Sequence, residues 1–490
     1  MGFGLARPVQ FARLMLVAPR PDRQEPSWTL EERCPNDVGL RRVVRAGYAA
    51  LRARLDADGR TLPPFVHREM EQYLACGDLG AGFAWLACPH GHHHRLVPTT
   101  CKGRGFCPTC GGRRMAERAG RWIDELLPRV AVRQVVFTVP WPRRWLLARD
   151  AGLLREVVET MRSEVTRWLR RHGVRGLDGR EGEPGSVSVI QRFGSTLNLN
   201  VHVHMLVLDG LFVADARCAP VWRRARRWRQ ADVDGLVVRV AAEVERLLAR
   251  RGHGPNEPLE LDPDDALADL QEAAVAGRSA SSNRRAQRVQ RVGGRERPLP
   301  PLCASCDGYT VHAGVVFGAR ARAGIGRLAQ YVLRPALVTS RLEVLGDDSV
   351  RLALKRAWSD GTTSRTFTAL ELVERLAALV PPPAANQVVY GGVLAPRHRW
   401  HRLVRPSPRR VAVPRVATVR LTRRPRGTSR HVGWAELLWR TFGVFGAACP
   451  TCGAVMRLRA VAWPPATLDV LASLRRSARG PPPGNAASGA

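Results

Sequence analysis

The sequence predicts an α+β protein: an antiparallel sheet flanked by helices, preceded by a small helical and metal-binding domain. Three observations predict it. Apolar residues recur at helical spacing in DVGLRRVVRAGYAALRARL and again over Leu153–Arg171, while β-type runs such as RQVVFTVPWP and LNLNVHVHMLVLDG lie between and after them. Residues 76–114 follow neither period and are rich in Cys, Gly and His. Helices and strands do not alternate in the repeated units that a parallel sheet needs.

Taken in order, residues 35–75 read as helical and are followed by the Cys-rich stretch. A short helix (Met115–Leu127) precedes a buried-type strand, Val135–Val139, which prolines end. After the helix Leu153–Arg171, strands are expected at Ser186–Phe193 and Leu199–Leu208. Residues 212–300 change character: an amphipathic helix near Val237–Arg250, acidic clusters around Asp262–Asp265, then Gly/Ser/Arg-rich sequence, which together read as an insertion ending in a disordered linker. A strand at Tyr309–Phe317, a helix from about Arg322 to Leu333, a strand at Val350–Ala357 and a helix at Ala369–Leu379 complete the pattern, which Pro381–Pro383 closes. The expected organisation is a leader (1–34), a helical and zinc-binding domain that contacts DNA (35–130), a catalytic domain (131–345), an accessory segment (346–396), a basic arm with a CxxC segment (397–475) and a low-complexity tail (476–490).

At 490 residues, 45% of them hydrophobic, the chain has material for two to four domains with their own cores. Its net charge of +34 selects the partner class, because a protein this basic repels itself unless it meets a polyanion, and the usual polyanion is nucleic acid. The cations are nearly all arginine, with Lys102 and Lys355 the only lysines. A GC-rich codon bias accounts for Arg over Lys but not for the excess of positive charge. The tract from Arg397 to Trp434 has no acidic residue and suits sequence-independent phosphate contact. No run approaches 18 apolar residues, and the N-terminus lacks a clean apolar core with a cleavage site. The expectation is a cytoplasmic protein, on the nucleoid when acting, with DNA rather than a membrane or a small molecule as partner.

Eleven cysteines, odd in number and partly clustered, argue for metal binding rather than a disulfide framework. Cys88, Cys101, Cys107 and Cys110 sit with His90 and His92–His94 in a span short enough for one structural zinc, with CPTC (Cys107, Cys110) as the two-cysteine knuckle. Cys88, His90, His92 and Cys101 are candidates for the second pair, and Cys76 is a further one. The bland alternative, free cysteines in a loop, leaves a Gly-rich stretch with nothing to hold it folded. Lys102, Arg104, Arg113 and Arg114 make the knuckle a candidate DNA contact. A second CxxC, Cys449 and Cys452, reads as half a site that Cys303 and Cys306 could complete, or as free thiols.

The run FGSTLNLNVHVHMLVLDG carries the chemistry. Side chains alternate along a strand, so Asn198, Asn200, His202 and His204 share one face and Val201, Val203 and Met205 the other. Two imidazoles two residues apart can ligate one divalent metal, magnesium or manganese in a nuclease; the bland alternative is a pair of half-exposed strand histidines. Amidohydrolases need further His and Asp ligands and often a lysine, and histidine-triad hydrolases need a third alternating His where Leu206 stands. The class that remains is the HUH endonucleases, which pair His-hydrophobic-His with a helical tyrosine nucleophile. One of only five tyrosines, Tyr331 in RLAQYVLRP, lies on the helix after the last sheet strand. A phenol with a pKa of about 10 needs activation, and Arg334 is placed to neutralise phosphate charge. Alone, Tyr331 would read as a core aromatic.

From about Cys76 to Ala460 the motifs YLACGDLGAGF, CKGRGFCPTCGGRRMAE, RQVVFTVP, QRFGSTLNLNVHVHMLVLDG, DGYTVHA, LAQYVLRP, WSDGTT, LVERLAALVPPP and YGGVLAP occur in order, and the chain resembles the IS91 family of rolling-circle transposases. The resemblance implies an HUH-type fold, His202 and His204 as metal ligands, and Tyr331 as a nucleophile that leaves a 5′-phosphotyrosine and a free 3′-OH on a single strand. It implies Gln191, or else His312, as third ligand. Arg327 stands one turn before Tyr331, so this is a single-tyrosine version, with Tyr309 and Tyr390 structural. Gly91 replaces a cysteine common in the family, so His90 or His92 must compensate; Gly391 and Arg397 depart from the family's His and Asn. Competing readings are a zinc-dependent DNA-binding protein without nuclease activity, and a relaxase or replication initiator. The presence of all three catalytic side chains counts against the first; the zinc cluster and the lack of a GxxxxGK[ST] motif count against the second.

Overall fold

The computed structural model describes residues 27–30, 35–174, 182–254, 264–281, 299–355, 357–358, 361–406, 448–469 and 471. The expected tail, most of the expected leader and linker, and the basic tract beyond residue 406 lie outside the described residues. The strands in chain order are β1 (Ser27–Leu30), β2 (Phe83–Ala87), β3 (His93–Pro98), β4 (Val132–Thr138), β5 (Gly185–Phe193), β6 (Leu199–Leu208), β7 (Gly210–Ala214), β8 (Pro220–Arg224), β9 (Cys303–Cys306), β10 (Tyr309–Phe317), β11 (Leu342–Val344), β12 (Val350–Ala353), β13 (Ser364–Phe367), β14 (Val388–Gly392) and β15 (Arg457–Ala462). The helices are α1 (Pro35–Ala57), α2 (Pro64–Ala75), α3 (Pro108–Arg121), α4 (Trp141–Arg149), α5 (Ala151–Trp168), α6 (Gln230–Arg250), α7 (Ala266–Val275), α8 (Arg322–Leu333), α9 (Ala369–Leu379) and α10 (His401–Val404). This is the α+β class that the sequence predicts.

The chain divides into two compact units. The smaller takes residues 1–31, 79–99 and 447–490, and the larger takes 32–78 and 100–446. In the smaller unit the described strands form one sheet in the order β1-β3-β2-β15, so a strand from near the C-terminus pairs antiparallel with β2. Its buried apolar residues form two small groups: Phe83, Leu96, Ala462 and Leu471 in one, Cys88, Cys449 and Met456 in the other.

In the larger unit a sheet of six described strands, antiparallel throughout, runs β14-β5-β6-β4-β10-β9. The pleat of β6 sorts its side chains onto two faces. Val201, Val203, Met205 and Val207 join one core with residues of α4, α5, α6, α7 and α9, while Leu206 and Leu208 join a second core with α8. The segment 212–300, expected as an insertion, contributes α6 and α7 to the first of these cores through Val233, Leu236, Val240, Leu267 and Leu270. The helix α8 buries Ile325, Leu328, Ala329 and Val332, a stripe at helical spacing, against the sheet. A buried ion pair ties the centre together: Arg133 on β4 donates to Asp209 from Nε at 2.9 Å and Nη2 at 3.1 Å, and from Nη1 to the Ala313 carbonyl at 2.7 Å. Among the described residues, no helix is long and apolar enough to cross a membrane.

Candidate active site

Four thiols of the larger unit converge ahead of the six-stranded sheet in the chain. Cys76 Sγ lies 3.7 Å from both Cys107 Sγ and Cys110 Sγ, and Cys101 Sγ lies 3.4 Å from Cys110 Sγ. Four sulfurs each 2.3 Å from one zinc stand about 3.8 Å apart, so the set fits a structural zinc site closed by four thiolates. The loop between the ligands is built for it. Backbone N–H groups of Cys101 and Gly103 point at Cys76 and Cys101 sulfurs at 3.3 and 3.2 Å. Glu69 on α2 accepts from the N–H of Arg104 and of Gly105, at 3.2 and 2.8 Å. A Cβ on Gly103 would stand 2.4 Å from that carboxylate, which is why CKGRG carries glycine there.

The candidate zinc ligands, expected as one cluster, fall into two groups. Cys101, Cys107 and Cys110 take Cys76 as their fourth member, whereas Cys88, His90 and His92 gather with Cys452. The reason is topological: strands β2 and β3 place residues 83–98 in the smaller unit, and the hairpin turn between them carries Cys88–His92. Cys303 and Cys306, considered as partners for Cys449 and Cys452, lie on β9, where Cys306 Sγ meets its neighbour Asp307 at 3.5 Å.

The histidines sit near the start of β6 on the face that α8 covers, with ring centroids 4.9 Å apart. His202 Nδ1 donates to the Asn200 carbonyl at 2.8 Å, which leaves the ring's lone pair on Nε2. The side-chain amide nitrogen of Gln134 on β4 donates to His204 Nδ1 at 2.8 Å and fixes the orientation of that ring. His204 Nε2 is buried without a hydrogen-bond partner, and so is Gln191 Oε1, on the residue opposite His202 in β5. Two imidazole nitrogens and an amide oxygen are a nitrogen–oxygen donor set that suits a divalent cation. Burial, then the Asn200 carbonyl's opposing pull and the Arg334 and Arg144 charges, set His202 at about 4; burial first, then His202, Arg334 and Lys355, lowers His204 to about 3. Both are therefore neutral at pH 7, the form that ligates metal.

Tyr331 lies off the apolar stripe of α8 and is 46% exposed, so its ring is open to solvent. Its ring stands edge-on to the His204 imidazole, centroids 5.8 Å apart. Gln191 Nε2 donates to the Val332 carbonyl at 2.6 Å, pinning this turn of the helix to the sheet. Two cations flank the phenol: Arg334 Cζ is 4.4 Å and Lys355 Nζ 5.1 Å from the ring centroid. Arg334 Nη1 is buried with no hydrogen-bond partner. Partial burial, then the Arg334 and Arg341 charges, lower Lys355 to about 8. The zinc knuckle buttresses the same turn, since a Cβ on Gly111 of α3 would stand 2.5 Å from Pro335.

The fold thus brings together His202, His204, Gln191, Tyr331 and Arg334. It does not bring in His312, which faces Val136 of β4 in register while Val136 in turn faces His204, so a whole strand lies between the two histidines. Arg327 is exposed on α8, Tyr309 is buried and donates to Glu245 at 2.5 Å, and Tyr390 accepts from Trp122 Nε1 at 3.2 Å. Of the basic residues around the knuckle, Arg114 holds the Lys102 and Gly103 carbonyls, both at 2.8 Å, and Arg104 bonds the Ala385 carbonyl; Lys102 is exposed and Arg113 half-buried. Sequence reasoning passed over Gln134, Lys355 and Arg118. Alternation along β4 would have put Gln134 on the histidine face, but nothing local links Lys355 to Tyr331. Arg118 lines a cleft with Arg104, Arg114, Gln191, Phe193 and Arg334.

Two family models match the chain. One, described as "Transposase zinc-binding domain", covers residues 43–139, which include all four converging thiols. The other, described as "Putative transposase", covers residues 185–402, which include His202, His204, Tyr331, Arg334 and Lys355. No curated protein and no solved structure matches it.

Proposed function

The chain belongs to the IS91 family of transposases, and we propose that it cuts and rejoins single-stranded DNA at the ends of its element through Tyr331. One observation carries this reading: an exposed phenol stands against a buried imidazole whose Nε2 lacks a partner, with an unpartnered guanidinium nitrogen beside it. DNA is the partner that the family implies. The cleft lined by Arg104, Arg114, Arg118 and Arg334 supports a path for the strand between the zinc knuckle and α8.

In the proposed reaction Tyr331 Oη attacks the scissile phosphorus, the bond from phosphorus to the 3′ oxygen breaks, and that oxygen takes up a proton and leaves as a 3′-OH. The 5′ end stays on the enzyme as a phosphotyrosine. Attack by another 3′-OH reverses the step and frees the phenol, so joining needs no nucleotide energy. His202 and His204, with Gln191 as third donor, would hold magnesium or manganese, which when bound polarises the phosphate. Arg334 offsets the charge that builds on its oxygens, the Asn200 carbonyl keeps His202 in the ligating tautomer, and Gln134 orients the His204 ring. The zinc knuckle acts at a distance, through the packing of Gly111 on Pro335.

The test incubates the full chain with manganese or magnesium and labelled single-stranded element ends. A covalent protein–DNA adduct is expected, dependent on the metal and absent in Tyr331→Phe. An adduct that survives in Tyr331→Phe would transfer the role to another residue and overturn the proposal, as would no adduct with any end sequence in the wild type.

A further inference from the structure

We propose that the smaller unit holds a second zinc ion, bound between the β2–β3 hairpin and the C-terminal knuckle by Cys88, His90, His92 and Cys452. The site goes beyond the transposase reading and does not depend on it: Cys449 and Cys452 lie outside both matched segments, 43–139 and 185–402.

The geometry is that of a tetrahedral set. One ligand atom from each of the four residues lies within 4.8 Å of the others. Cys88 Sγ and Cys452 Sγ are 3.6 Å apart, Cys452 Sγ and His90 Nδ1 3.6 Å, and Cys88 Sγ and His92 Nδ1 4.0 Å, close to the edges of a zinc tetrahedron. The backbone on each side is shaped as zinc knuckles are. The His90 N–H points at Cys88 Sγ at 3.4 Å. In CPTCG the chain doubles back, with Gly453 N–H donating to the Cys449 carbonyl at 2.9 Å and Cys449 N–H to the Ala454 carbonyl at 2.8 Å. Gly453 takes the left-handed conformation, φ 70°, that the turn requires. Cys449 is buried beside the site, packed with Cys88 and Met456.

The second argument is the size of the core. The described part of this unit buries Phe83, Leu96, Ala462 and Leu471 in one group, Cys88, Cys449 and Met456 in another, and the small side chain of Ala87. So few apolar side chains do not offset the ordering of four strands, and small units short of core commonly rely on a metal. Cys88 and Cys452 are 364 residues apart in sequence. One ion would therefore close the unit by joining the hairpin to the segment that supplies β15.

Metal analysis of the purified full-length protein tests this. Two zinc ions per chain are expected in the wild type and one in Cys452→Ser, whose side chain is exposed and leaves no hole in a core; Cys110→Ser, at the four-thiol site, is likewise expected to keep one. A wild type with one zinc, unchanged in Cys452→Ser, would overturn the proposal. Should Cys452→Ser fail to fold, cobalt substitution of the wild type decides: an all-sulfur spectrum accompanied by a second, mixed sulfur–imidazole species supports the site, and an all-sulfur species alone refutes it.

Discussion

Replacing Arg334 by glutamine keeps a polar side chain, though a shorter one, and removes its charge. Its guanidinium carbon is 4.4 Å from the centre of the Tyr331 ring, and Nη1 is buried with no acceptor. A phosphate attacked by the phenol would therefore stand about 5 Å from the guanidinium, where one unit charge at an effective dielectric of about 20 is worth about 3 kcal/mol. If most of that interaction develops with the charge of the transition state, Arg334→Gln slows cleavage about a hundredfold. The assay is single-turnover cleavage of a labelled strand at saturating enzyme, beside binding measured by anisotropy. A rate loss much larger than the affinity loss is expected, because binding the ground state alone would leave the saturated rate unchanged. A saturated rate within threefold of wild type, in a variant that melts normally, would refute the placement of Arg334 at the reacting phosphate.

Two further predictions concern protons. Lys355, held at about 8 by partial burial, Arg334 and Arg341, is charged below that pH and neutral above it; kcat/KM should fall as pH rises through about 8, and Lys355→Gln should flatten that limb of the profile. His204, lowered to about 3 by burial, binds its proton in the unfolded chain near 6.5 but not in the fold. The unfolded state then holds more protons between about 3 and 6.5, so stability is lost as pH falls through that window, by about 2 kcal/mol at pH 5 from this residue alone. Urea titrations at pH 7.5 and pH 5, without magnesium or manganese, should show a smaller acid loss in His204→Gln; equal losses in both proteins would contradict the burial.

Much of the fold was legible locally. Strands β5, β6 and β10 and helices α8 and α9 were legible within single segments: β10 and α8 bury one face and the period records it, while β5, β6 and α9, buried more completely, show as apolar runs. The segment 212–300 was not legible as core, since its polar and Gly-rich flanks resemble a linker while α6 and α7 bury their apolar stripes elsewhere in the sheet's packing.

For the site, the amino-acid sequence by itself determined the reagents: two imidazoles on one strand face, a tyrosine on a helix with an arginine three residues on, and cysteines in knuckle spacing. Those are short-range facts that the periods of strand and helix encode. Only the tertiary structure decided which groups meet. It set Gln134 on His204, Lys355 over Tyr331 and Cys76 rather than Cys88 with the four-thiol set, and it brought Cys452 to Cys88. Each of these pairings joins residues far apart in the chain, and sheet register and loop course, which no local spacing records, determine whether such residues touch.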